Sequence, residues 1–311
     1  MSKNSPAFID CYGDLATRFN DKLASIVPNL EVFYDKPADE DELISRLQGR
    51  KNVMVYMGYM SSKVLNACPD LKTISYLSTG LATHGDIEQS ARLGIRFEGV
   101  KGYGDRAVAE HTIALAFAAI KRLAEMDRSV RSGNWKLIKT EELQDKTFGV
   151  IGLGGIGLET AKIARSLGMR TICWSRSSSK VNLPVETVPL DEVLKQSDII
   201  SLHLPLNSQT KGFINQKLLH ITKPGLILIN TARAEIIDED SLMYALSSGH
   251  IGHCALDVFH QEPVAQDNNL LSMDNVTLSP HSAWLTTQAI DRLLLAGLNL
   301  LNKHIMDTQN D

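Results

Sequence analysis

The sequence predicts an α/β protein of two domains, one of them a doubly wound parallel sheet, and three observations support this. Short apolar runs alternate with amphipathic segments from about Phe148 onward, a glycine-rich turn closes the first of those runs, and 311 residues at 43% hydrophobic content fit two domain cores better than one. Alternation of this kind lays strands parallel, because each crossover helix returns the chain to the same end of the sheet. Two domains in turn imply a cleft.

The first hundred residues carry a looser α/β pattern, with strands expected at EVFY (31–34), NVMVY (52–56), TISYL (73–77) and IRFEG (95–99). A long apolar helix is expected from about Asp105 to Ser129. The second unit opens with FGVIG (148–152), followed by a helix whose Ile156, Ile163, Ala164 and Leu167 share one face and which Gly168 ends. Strands follow at TICW (171–174), IISLHL (199–204), LILIN (226–230), HCALDVF (253–259) and VTLS (276–279), with helical stretches between them such as Asp238 to Ser248. The last amphipathic helix carries Ile290, Leu294, Leu298 and Leu301. Packed back on the first domain, it would make that domain discontinuous.

Composition excludes several classes of function. A formal charge of -4 and a pI near 6.1 leave no basic excess for a phosphate backbone, so nucleic acid is not an expected partner. The stretch MSKNSPAFIDCYGD lacks the apolar core of a signal peptide, and the most apolar run, Thr112 to Ile120, is too short to span a bilayer, so a cytoplasmic protein without membrane contact is expected. Cys11, Cys68, Cys173 and Cys254 are scattered, with no C-x-x-C pair and no His/Cys cluster at metal-ligand spacing, and read as reduced structural residues; no metal site is expected.

Gly152-Leu153-Gly154-Gly155-Ile156-Gly157 fits G-x-G-x-x-G at the junction of an apolar strand and a helix. In that context the first glycine permits a tight turn, the second lets the backbone approach a pyrophosphate, and the third lets helix and strand pack closely, while the helix N-terminus offers N–H groups to the anion. A dinucleotide is the expected ligand. The next strand end, where an acidic residue usually bonds the adenosine ribose, reads Trp174-Ser175-Arg176-Ser177-Ser178-Ser179-Lys180, with no carboxylate until Glu186. Without that charge a 2′-phosphate is not repelled, and Ser175, Arg176 and Ser177 can donate to it, which favours NADPH. A plain polar loop in an enzyme that uses NADH as well is the alternative.

In an open parallel sheet, ligands bind beyond the carboxyl ends of the strands. Arg233 follows LILINTA, Glu262 follows HCALDVFHQ and His281 follows VTLSP, so all three could face one cleft. Reduction of a 2-keto acid needs these residue types. The carbonyl oxygen must be polarised and protonated as hydride arrives, which an imidazolium at His281 can do. Glu262 can hold the ring and favour its charged form, and Arg233 offers a planar fork to the substrate carboxylate. Singly, each reads as an ordinary loop residue; the case rests on their joint placement beside a dinucleotide turn.

Together these segments resemble the D-isomer-specific 2-hydroxyacid dehydrogenase family, from roughly Leu71 to Leu301. GLGGIG (152–157), HLPL with Thr210 following (203–210), NTARAEIID (230–238), ALDVFHQEP (255–263) and SPHSAW (279–284) stand in the family's order. The resemblance implies that Arg233, Glu262 and His281 are catalytic, and that Leu204, Pro205 and Thr210 border the cofactor. It also implies that Asp257 and the Thr231-Ala232 backbone lie near the nicotinamide, and that the Ser78-Thr79-Gly80 loop takes the substrate carboxylate on main-chain N–H groups. The fold it implies is a flavodoxin-like substrate domain of residues 1–100 and 286–311 around a Rossmann-type cofactor domain of residues 101–285. Homodimers joined through the cofactor domains are implied as well.

Ala234 stands where the family usually has glycine, and Ser175 where it usually has aspartate. The second departure resembles the NADPH-using glyoxylate and hydroxypyruvate reductases, which makes glyoxylate or hydroxypyruvate the leading substrate. Tyr56, Met57, Tyr59 and Met60 could instead line a pocket for a bulkier keto acid, or be core. A phosphorylated hydroxy acid and a non-catalytic dinucleotide sensor remain as rival readings.

Overall fold

The computed structural model describes residues 5–176 and 185–310, and within it the chain forms two compact units, residues up to Gly104 with Thr286 onward, and Asp105–Leu285. The first unit holds a five-stranded parallel sheet of β1 (Ala7–Phe8), β2 (Glu31–Val32), β3 (Asn52–Val55), β4 (Thr73–Tyr76) and β5 (Arg96–Gly99), in the order β2-β1-β3-β4-β5. That is the flavodoxin-like strand order. Its helices are α1 (Asp14–Arg18), α2 (Asp21–Ala24), α3 (Glu40–Leu47), α4 (Ser62–Asn66) and α5 (Ile87–Arg92). Four of them begin where a side chain takes up an otherwise unpaired N–H: Asn20 caps α2, Asp39 caps α3, Ser61 caps α4 and Asp86 caps α5.

In the second unit α6 (Asp105–Ile120) and α7 (Leu123–Arg131) precede the sheet. The single helix expected from 105 to 129 is two, because Arg122 turns left-handed at φ 51°. Its guanidinium, 37% exposed, pairs at 2.6 Å with Glu125, whose side chain is 9% exposed, and apolar periodicity does not report this half-buried ion pair at the break. The seven strands are β6 (Thr147–Ile151), β7 (Arg170–Trp174), β8 (Glu186–Thr187), β9 (Ile199–Leu202), β10 (Leu226–Asn230), β11 (Ile251–Leu256) and β12 (Val276–Leu278). All are parallel, in the order β12-β11-β10-β9-β6-β7-β8, so the order reverses between β6 and β9, the switch point at which such sheets take ligands.

The sheet is covered on both faces, which is why its strands read as apolar runs rather than as alternations. One core joins Ile151, Ile172, Ile200 and Leu228 to α9 (Leu190–Gln196), α10 (Gln216–His220) and α11 (Glu239–Ser247). The other joins Phe148, Val150 and Ile229 to α6 and to α8 (Gly155–Ser166). Past α8, Gly168 takes φ 84°, the left-handed step that stops the helix.

The last helix, α12 (Thr287–Asn310), belongs to the first unit and lies on β3 and β4. Ile290, Leu293, Leu294, Leu298 and Leu301 form its buried face. Gly297 permits the approach: a Cβ there would stand 2.2 Å from Leu77 Cδ2. Buried His304 bonds Ser75 at 2.9 Å and Glu98 at 3.1 Å, tying the helix to β4 and β5.

Several strand ends differ from expectation. EVFY pairs only at Glu31–Val32, IISLHL stops at Leu202, and HCALDVF runs Ile251–Leu256, so Asp257 begins the loop instead of lying within the strand. β1 and β8 escape a sequence reading because two-residue strands show no period.

Candidate active site

The carboxyl edge of the second unit's sheet gathers almost every residue singled out in it. β6 runs into the glycine turn, where Gly152 takes φ 105° and a Cβ would meet the His203 carbonyl oxygen at 2.6 Å. At Gly157 a Cβ would stand 1.9 Å from the Gly152 carbonyl oxygen, so only a glycine lets α8 start this close to the strand. At Gly155 it would meet the Asp105 carboxylate at 1.8 Å, and half-buried Ile156 follows in the first turn. Gly154 is different: a Cβ there meets nothing within 4 Å, and as N-cap it offers α8 no side-chain bond. Open space beside uncapped helix N–H groups suits an anion.

Beyond β7 come Ser175 and Arg176, the latter bonded to the Gln209 side-chain oxygen; Ser177 lies outside the described residues. Beyond β9, Leu204 packs on the apolar core and the Thr210 hydroxyl donates to the Pro205 carbonyl at 2.5 Å while accepting from Asn207 N–H at 2.9 Å. The Thr210 hydroxyl therefore closes its own loop.

Beyond β10, Asn230 braces the turn, its amide donating to the Arg233 carbonyl at 2.8 Å and its oxygen accepting from Ala232 N–H at 3.0 Å. The Thr231 hydroxyl is 2.9 Å from that of Thr112. Arg233 bonds the Ala232 carbonyl at 2.7 Å through one guanidinium nitrogen. β11 neighbours β10 and leads into Asp257, 1% exposed, and then Glu262. Glu262 accepts from Phe259 N–H at 2.9 Å with one oxygen and lies 2.6 Å from His281 Nδ1 with the other. Both side chains of this pair are 37% exposed. A carboxylate only accepts, so Nδ1 carries the proton and Nε2 is left to face a reactant.

His281 itself has φ 50°, a left-handed conformation uncommon for a residue with a side chain. The loop around it is tied to Asp257, which accepts from Ser279 Oγ at 2.6 Å, Ser282 N–H at 3.0 Å and Ala283 N–H at 2.9 Å. His111 Nε2 approaches the same hydroxyl at 2.9 Å and lies 3.6 Å from the Asp257 carboxylate itself. His111 was not among the residues the sequence singled out; its only signal is a polar side chain immediately before the apolar run of α6.

In the first unit, Ser78, Thr79 and Gly80 follow β4. Ser78 N–H donates to the Tyr76 carbonyl at 2.9 Å and the Thr79 hydroxyl to the Val100 carbonyl at 3.0 Å. Of the aromatic and Met residues after β3, Met60 is fully buried core, Tyr56 lies on Tyr12 with ring centroids 5.6 Å apart, and Met57 and Tyr59 are exposed. Among the described residues no group of His, Cys, Asp and Glu could hold a metal, and no helix is long and apolar enough to cross a membrane.

A family model described as D-isomer specific 2-hydroxyacid dehydrogenase, NAD binding domain, matches residues 113–283. The chain belongs to that family. It is 36% identical over 279 residues to a glyoxylate reductase of Thermofilum pendens, spanning 86% of this chain and 82% of that one. To a hydroxypyruvate reductase of Thermotoga maritima it is 33% identical over 287 residues, spanning 91% and 86%. Among solved structures, an acyclic imino acid reductase in complex with NADPH and D-Arg superposes with a TM-score of 0.82 at 30% identity, spanning 94% of each chain. As a D-2-hydroxyacid dehydrogenase the protein uses a nicotinamide dinucleotide, and the open side of Gly154 at the α8 terminus fits the pyrophosphate of such a cofactor.

Proposed function

We propose that this dehydrogenase reduces glyoxylate or hydroxypyruvate to the D-2-hydroxy acid, with NADPH preferred over NADH, as a cytoplasmic homodimer. The observation that carries the catalytic assignment is the 2.6 Å pair of His281 and Glu262 on the same sheet edge as the uncapped α8 terminus. The cofactor, when bound, supplies the hydride. His281 Nε2 delivers the proton to the carbonyl oxygen and takes it back in the reverse direction. Glu262 holds the ring by Nδ1 and so fixes its tautomer and orientation. Arg233 offers its remaining N–H groups to the substrate carboxylate and carbonyl oxygen. The Ser78-Thr79-Gly80 loop supplies further N–H donors to that carboxylate; because Ser78 N–H is already committed, Thr79 and Gly80 carry this role.

Arg176 and the serines beside it support the NADPH preference, since a guanidinium and hydroxyls suit a 2′-phosphate and a carboxylate does not. Leu204, Pro205, Thr231, Ala232 and Asp257 complete the proposed cofactor surroundings. For the homodimer the support is an exposed apolar stretch in the second unit, with Trp135 85% and Leu137 89% exposed. Four free, buried thiols agree with a reducing compartment.

The experiment is loss of nicotinamide absorbance with NADPH, and separately NADH, across glyoxylate, hydroxypyruvate, pyruvate, phenylpyruvate and 3-phosphohydroxypyruvate. Turnover fastest with NADPH and one of the first two keto acids supports the proposal. Preference for phenylpyruvate or the phosphorylated acid replaces the substrate. Cofactor binding without any turnover replaces the enzyme by a sensor.

A further inference from the structure

The loop that carries His281 is tied at both ends to one buried carboxylate, and that carboxylate is tied in turn to helix α6. Asp257 receives Ser279 before His281 and Ser282 and Ala283 after it. Between these anchors His281 holds φ 50°. A left-handed conformation is unfavourable for a residue with a side chain, so it persists only where the flanking chain is fixed.

The direction of the remaining bond follows from counting protons. Ser279 has one hydroxyl hydrogen, and at 2.6 Å from a carboxylate oxygen it donates there. Its contact with His111 Nε2 at 2.9 Å is therefore one in which the imidazole donates and the hydroxyl oxygen accepts. The order of donation is His111 to Ser279 to Asp257, with the two main-chain N–H groups meeting the same carboxylate. A donor on Ser279 polarises its O–H toward Asp257, and α6 gives the chain of bonds a rigid origin.

We propose that His111 is a positioning residue for proton transfer: through Ser279 and Asp257 it fixes the 279–283 loop and so the ring of His281. This rests on the reading of His281 as proton donor. Its consequence is a division of labour around the imidazole, with Glu262 setting the ring's rotation and the His111 chain setting where its backbone stands.

The test compares His111→Leu, His111→Gln and Ser279→Ala with His281→Asn, measuring kcat, the KM for keto acid, cofactor affinity by fluorescence titration and the melting temperature. Displacing a catalytic group by about 1 Å costs up to a hundredfold in rate, so His111→Leu and Ser279→Ala should lower kcat about ten- to a hundredfold while cofactor affinity stays within about twofold. His111→Gln should recover most of that loss, because its amide N–H can donate to Ser279; a merely structural role predicts no such rescue. Unchanged kcat in His111→Leu or in Ser279→Ala overturns the proposal, as does a loss in His111→Leu that His111→Gln does not recover. If His111→Leu fails to fold, Ser279→Ala and His111→Gln decide by the same criteria. Full turnover in His281→Asn overturns the proton-donor reading together with this one. Loss in His281→Asn beside normal His111→Leu overturns only this one.

Discussion

Replacing Gly154 and Gly157 separately by alanine should divide the glycine turn into a binding part and a packing part. At Gly157 the added Cβ would lie 1.9 Å from the Gly152 carbonyl oxygen, against a close carbon–oxygen contact of about 3.3 Å. The start of α8 must therefore retreat by about 1.4 Å, which also moves the N–H groups facing a pyrophosphate. Overpacking of this kind costs about 1–3 kcal/mol, and the better helix propensity of alanine returns up to about 1 kcal/mol. Gly157→Ala should thus melt lower and bind dinucleotide more weakly. At Gly154 the Cβ meets no protein atom within 4 Å and φ is −74°, so stability should hardly change. The methyl group would instead stand in the open space that an anion enters. Losing one or two charge-assisted N–H bonds there, at about 1.5–3 kcal/mol, weakens dinucleotide affinity about ten- to a hundredfold. The assay is fluorescence titration with NADPH and NADH beside a thermal melt. Wild-type affinity in Gly154→Ala would refute the reasoning, because it would mean that the space beside the turn takes no ligand.

Replacing Ser175 by Asp and Arg176 by Ala together should shift preference from NADPH toward NADH, measured as the ratio of kcat/KM values; an unchanged ratio removes the 2′-phosphate reading. Arg233→Lys keeps the charge and loses the fork, so kcat/KM for the keto acid should fall at least about tenfold with cofactor affinity retained, and equal kinetics would remove the carboxylate role. Trp135→Lys with Leu137→Lys should yield monomers by light scattering if this stretch joins two copies; an unaltered mass excludes that face. His253 is 4% exposed and bonded to Thr277, and burial pulls it down to about 4. The unfolded chain then takes up a proton below about pH 6.5 that the folded one refuses. His253 should contribute a fall in stability on the order of 3 kcal/mol between about pH 6.5 and 4, and His253→Gln should remove that share in pH-dependent chemical unfolding, leaving the share of His203, which burial pulls down to about 3.

The second unit was legible because its sheet is buried on both faces. FGVIG, TICW and LILIN are nearly continuous apolar runs, and GLGGIG marks a turn whose backbone only glycine tolerates at Gly152 and Gly157. The first unit was less so: β1 and β2 pair over two residues each, and the short helices α1 and α2 show no period. The approach of Glu262 to His281 was expected from strand ends alone, since adjacent parallel strands deliver their following loops to one edge. What stayed hidden depends on contacts distant in sequence. The bond of His111 to Ser279 joins positions 168 residues apart, and the left-handed turn at Arg122 interrupts a stretch with neither Gly nor Pro to announce it.

The placement of α12 bears on how the chain matures. β3 and β4 are made early in synthesis, yet the helix that covers them comes only after Asp105–Leu285 has been made. Until then Met54 and Leu77 have no Gly297 to close over them. A nascent chain therefore holds its first sheet uncovered until α12 arrives, and that sheet is the surface that a holding chaperone would shield or that a stalled ribosome would leave prone to aggregation.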